Sequence, residues 1–65
     1  MHIQKLFAPN DFYDISIRKE GIYLQGDLTN SIIKTITRLK FELYEPDYKS
    51  KYTHFQRGVY DICLT

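Results

Sequence analysis

Residues 28–39, LTNSIIKTITRL, are the segment of the chain with a clear helical period. Leu28, Ile32, Ile36 and Leu39 recur at spacings of four and three, with Ile33 beside them. Asn30, Lys34, Thr37 and Arg38 turn away. An apolar stripe of this kind predicts an amphipathic helix that buries one face. Asp27 or Thr29 can cap it, a side-chain oxygen accepting from the free N–H groups of the first turn. Lys34, Arg38 and Lys40 suit the negative end of the helix dipole.

Both flanks of this helix alternate with the period of strands. On the N-terminal side, FYDISIR (residues 12–18) sends Tyr13, Ile15 and Ile17 one way and Phe12, Asp14, Ser16 and Arg18 the other. Lys19-Glu20-Gly21 follows, and Gly21 can supply the positive φ of a tight hairpin. The chain returns as residues 22–25, with Ile22 and Leu24 inward and Tyr23 and Gln25 outward. Before this hairpin, Ile3, Leu6 and Phe7 fit a short strand or a helical turn equally, and Pro9-Asn10-Asp11 is a break.

On the C-terminal side the pattern forks. A helix running on to Tyr44 would keep Leu43 on the stripe, four after Leu39. Phe41-Glu42-Leu43-Tyr44-Glu45 also alternates, and a strand at 41–45 is favoured, because a longer helix leaves Phe41 and Tyr44 little sheet to cover. Pro46 disfavours helix at the residue before it and opens a loop through Lys51. Residues 52–56 and 59–64 then read as a second hairpin about Arg57-Gly58, with Phe55, Tyr60, Ile62 and Leu64 on the covered face.

The sum is a single α+β domain over residues 1–65: a small antiparallel sheet, β-β-α-β-β-β, with one helix packed on one face. A helix covers only one side of a sheet. The covered side is expected to take Tyr13, Ile15, Ile17, Ile22, Leu24, Phe41, Leu43, Phe55, Tyr60, Ile62 and Leu64, and the open side Asp14, Ser16, Tyr23, Gln25, Tyr44, Tyr52 and His54. A register slip of one residue would reverse the two faces.

The totals bound the function. A chain of 65 residues buries only about 60% of the surface its unfolded form exposes, so its stability is marginal. Cys63 is the sole cysteine and makes no internal disulfide. It fits a reducing compartment. The start, MHIQKLFAPND, is too polar for a signal peptide or a membrane span. These features predict a soluble, cytoplasmic chain with no membrane contact. The net charge of +1 argues for no particular partner. Residues 34–57 carry a mild excess of lysine and arginine.

Little in the chain suggests catalysis. Cys63 has Asp61 as its same-face neighbour, and a nearby carboxylate opposes thiolate formation. His2 and His54 lie far apart and sit in no ligand motif, so no metal and no small-molecule cofactor are expected. Gly26-Asp27 before the helix is a poor phosphate cradle. Six tyrosines and four phenylalanines exceed what one small core needs, which places some rings on the surface.

The expected function is therefore that of a small non-enzymatic protein-binding module, inhibitor- or adaptor-like. Chains of this size are common among accessory proteins of phages and mobile elements. The expected contact residues are Tyr23, Tyr44, Tyr52 and His54 on the open face, with Lys51 and Arg57 at its rim. The partner is another protein or a second copy of the chain. The alternative is nucleic acid, stacked on the same aromatic and basic face.

Overall fold

Helix α1 spans Asn30–Arg38 because both of its ends are closed locally. At the start, Thr29 is extended and its Oγ1 accepts from the Ile32 N–H at 3.2 Å. Asp27 does not cap; its carboxylate accepts from the Thr65 hydroxyl instead. At the end, Lys40 adopts φ 61°, donates to Thr37 O, and lets Phe41 N–H reach back to Ile36 O at 3.1 Å. These paired bonds are the Schellman arrangement, which turns the chain out of the helix. Phe41, just past the turn, is buried. The fork at 41–45 thus resolves to a strand. Leu28 lies before the cap and is exposed, so the helical stripe is Ile32, Ile33, Ile36 and Leu39.

The computed structural model describes residues 6–65, and the expectations for His2 and Ile3 lie outside them. Around α1 stand β1 (Phe12–Arg18), β2 (Gly21–Gly26), β3 (Glu42–Tyr44), β4 (Thr53–Arg57) and β5 (Tyr60–Leu64). They form one sheet in the order β1-β2-β5-β4-β3. The α+β class and the element order are as the sequence predicts. The purely antiparallel sheet is not: β2 and β5 run parallel, with Leu24 beside Ile62. β3 and β4, and β4 and β5, pair antiparallel, so β3 also runs parallel to β2. The helix is therefore a crossover connection, the usual link between parallel strands, and the β4–β5 hairpin fills the gap it leaves. Among the described residues no helix is long and apolar enough to cross a membrane.

The core joins Ile32 and Ile36 to Leu24, Ile62 and Leu64, with Phe7 and Phe41 closing its ends. Four residues expected in it are not there. Tyr13, Ile15, Ile17 and Leu43 are exposed, Ile17 by 78% and Leu43 by 67%. Ile15 pairs with Leu24, Ile17 with Ile22 and Leu43 with Phe55, so these three occupy the helix side of the sheet. They lie on the two edge strands, beyond the reach of α1. Tyr13 is out for a different reason. A bulge between Phe12 and Asp14 shifts the register, and Phe12 takes the inward position, edge-on to Phe7 with ring centroids 4.8 Å apart.

Glycine does not act where a turn was expected of it. Gly21 has no positive φ; a Cβ there would meet the Val59 carbonyl oxygen at 2.5 Å. The second turn is Gly58-Val59 rather than Arg57-Gly58, and Gly58 supplies its φ of 59°. The left-handed conformation at Lys40 disfavours any residue with a Cβ. Lys40→Gly is expected to raise the unfolding free energy by about 1 kcal/mol, read as a higher urea midpoint. An unchanged or lower midpoint would mean that the lysine stem contributes more than the strain costs.

Candidate functional site

The β4–β5 hairpin sets the open face. Its antiparallel register places His54 opposite Cys63 and Gln56 opposite Asp61, so His54, Asp61 and Cys63 share one side, away from the helix. Parallel pairing with β2 brings Tyr23 beside Asp61 and Gln25 beside Cys63. Tyr44 joins from β3 as the partner of His54. The faces of Asp14, Ser16, Tyr23, Gln25, Tyr44 and His54 are as expected.

The exposure of His54 is not. Only 3% of its surface reaches solvent. The loop after β3 folds back across the sheet and supplies the cover. Ser50 Oγ stands 2.8 Å from His54 Nε2 and also accepts the Tyr52 N–H. Tyr44, Tyr48 and Tyr52 surround the imidazole, with ring centroids 5.4, 6.2 and 6.4 Å away. Alternation along a strand carries no signal for what crosses above it, so the enclosure is not visible in the sequence.

Beneath the loop lies a polar cluster. Cys63 Sγ is 3.3 Å from His54 Nδ1. We assign the imidazole proton to Nε2, where it meets Ser50 Oγ and leaves the Nδ1 lone pair facing the sulfur. The Tyr44 hydroxyl donates to Asp61 Oδ2 at 2.6 Å. Burial, followed by the hydrogen bond to Asp61, pushes the Tyr44 phenol well above its usual value, so it remains a donor. Burial and the Asp61 charge push the Cys63 thiol up as well. A nucleophilic cysteine requires the opposite shift.

Asp61 Oδ1 is buried and has no hydrogen-bond partner among the described residues. His54, Asp61 and Cys63 present ligand-capable atoms that all lie within 4.8 Å of one another. Asp61 and Cys63 were visible as same-face neighbours in the sequence. His54 joins them only through the β4–β5 register.

The remaining contact residues divide. Tyr52 and Lys51 stay with the cluster, Lys51 Nζ lying 6.0 Å from the Tyr52 ring centroid. Tyr23 sits on the same face, with Arg18 stacked over it at 5.5 Å. Arg57 does not belong to this rim. It pairs with Tyr60, which turns it to the helix side, and it lines a separate hollow with Lys40 and Glu42.

Comparison of the chain with known protein families, curated proteins and solved structures gave no match.

The Tyr44–Asp61 bond can be tested directly. Tyr44→Phe leaves a half-buried carboxylate without its donor and is expected to cost about 1–3 kcal/mol. In an Asp61→Ala background the same change should cost far less. Urea unfolding of the four proteins measures the coupling, and equal losses in both backgrounds would remove the bond from the stability of the fold.

Proposed function

We propose that the chain is a non-enzymatic protein-binding module that acts by strand addition at β1, and that a second copy of itself is one strand this edge accepts. The observation that carries the reading is the state of β1. It is a seven-residue edge strand, and among the described residues nothing pairs with its outer side. Its apolar residues Tyr13, Ile15 and Ile17 are exposed. Long apolar edges of this kind are templates for another strand.

Self-complementarity supports a second copy. An antiparallel two-fold pairing centred on Ser16 would set Ile15 against Ile17 twice and Asp14 against Arg18 twice. Cross-strand pairs of these types are favourable on both faces of a sheet. A domain of this size without a disulfide also gains stability from association by mass action.

Sedimentation equilibrium tests the register. The wild-type chain should dimerise reversibly. Asp14→Arg, which sets arginine against Arg18, should weaken association roughly tenfold. Adding Arg18→Asp should restore it. A chain that stays monomeric at every accessible concentration, or a double variant that fails to recover, removes this reading of the edge.

A second reading draws support from the open face. Tyr48 and Tyr52 line one hollow with Lys49 and Lys51, a pairing of rings and cations that suits single-stranded nucleic acid. Two lysine–phosphate contacts imply a loss of roughly tenfold in affinity between about 50 and 200 mM salt. Fluorescence anisotropy with labelled oligonucleotides reads this, and absence of binding at the lower salt discards it.

A further inference from the structure

Asp61 Oδ1 poses a physical problem. A buried carboxylate oxygen without a donor carries an uncompensated desolvation cost, yet its partner oxygen is well satisfied by Tyr44. Beside it are a thiol and an imidazole nitrogen that make only a weak contact with each other. These are the three donor types that bind zinc in proteins. Among the described residues they form the cluster with such chemistry.

We infer that His54 Nδ1, Cys63 Sγ and Asp61 Oδ1 form a three-ligand site for a divalent transition metal, Zn²⁺ by its donor set, with a fourth position open toward the hollow beneath the 45–52 loop. Bonds of about 2.0 Å to nitrogen or oxygen and about 2.3 Å to sulfur put tetrahedral ligand atoms about 3.5 Å apart. The observed Nδ1–Sγ separation of 3.3 Å already fits. One ligand-capable atom from each of the three residues lies within 4.8 Å of the other two, so small side-chain adjustments toward the tetrahedral spacing close the set. On binding, the Cys63 thiol releases its proton to solvent and a metal–sulfur bond forms. Thiolate, carboxylate and neutral imidazole then balance the charge of the cation.

The surroundings match what holds metal ligands in place. Ligating histidines fix their ring by donating the other N–H, and ligating carboxylates accept a further hydrogen bond. Ser50 meets His54 Nε2 and Tyr44 meets Asp61 Oδ2. The sulfur and nitrogen donors select against Mg²⁺ and Ca²⁺, which prefer all-oxygen sites. The open fourth position leaves room for water or for a donor from another molecule. The site lies on the face away from α1 and does not depend on the β1 edge.

Cobalt is the probe, because a tetrahedral site with a thiolate ligand gives intense visible d–d bands and a near-ultraviolet sulfur-to-cobalt charge-transfer band. Titration of the folded wild-type chain with Co²⁺ should develop both at one equivalent. Zn²⁺ should bleach them, and excess Mg²⁺ should not. His54→Gln and Asp61→Asn should each weaken Co²⁺ binding at least tenfold, with circular dichroism confirming that each variant is folded. Ser50→Ala should weaken it about ten- to a hundredfold through loss of ring orientation. Absence of the charge-transfer band in wild type with cobalt in excess would overturn the proposal. So would a band that persists undiminished in both folded His54→Gln and Asp61→Asn, since that is the behaviour of an isolated thiol. Should either variant fail to fold, the wild-type d–d intensity decides alone: weak octahedral bands refute the site.

Discussion

Everything in this domain depends on how far one short helix reaches. Ile32 and Ile36 of α1 are buried against Leu24, Ile62 and Leu64, which lie on the adjacent strands β2 and β5. A nine-residue helix is about 13.5 Å long and about 10 Å wide. Five strands at a spacing of about 4.8 Å span about 19 Å between the outermost axes. In no orientation does the helix cover the whole sheet. It holds the centre and leaves Ile15 and Ile17 of β1 and Leu43 of β3 bare. Ile15, Ile17 and Leu43 are exposed for this reason, although each points to the covered side.

The same limit explains what sequence reasoning could and could not reach. Alternation fixes the side of the sheet on which a residue stands, and for Ile22, Leu24, Phe55, Ile62 and Leu64 the side also meant contact with the core. It does not measure the width of the cover. One local feature broke the alternation itself: the bulge after Phe12 exchanged Phe12 for Tyr13. Strand direction was legible in principle: a helix linking β2 to β3 is the ordinary connection between parallel strands. The end of the helix was legible only as a fork, because Lys40 occupies the left-handed position where glycine would have marked the stop.

The candidate site was half legible. Asp61 and Cys63 stand two apart on one strand, and their common face followed from the period alone. His54 was placed on that face but judged solvent-facing. What reverses its environment is a contact between segments: Tyr48 and Ser50, in a loop with no period of its own, cross the sheet and close over the imidazole. Arg57 shows the converse. Its position near the aromatic cluster in sequence suggested a basic rim, yet one residue of strand parity sends it to the opposite side.

The two surfaces of the sheet depart from the ordinary burial rule in opposite senses. On the helix side, Ile17 is apolar and turned to water; on the other, His54 is polar and withdrawn from it. Neither arrangement is favourable for an isolated chain of this size, whose net stability is only a few kcal/mol. An exposed apolar edge loses its cost when another strand covers it. A buried carboxylate oxygen loses its cost when a cation or donor reaches it. The proposed strand addition and the proposed metal site each supply the missing group at the place where the fold lacks one. They use different atoms on different faces, yet both act on the central sheet: β1 is anchored on β2, and two of the three ligands lie on β5, the neighbour of β2. Binding at either place would therefore stabilise the same pair of strands on which α1 rests.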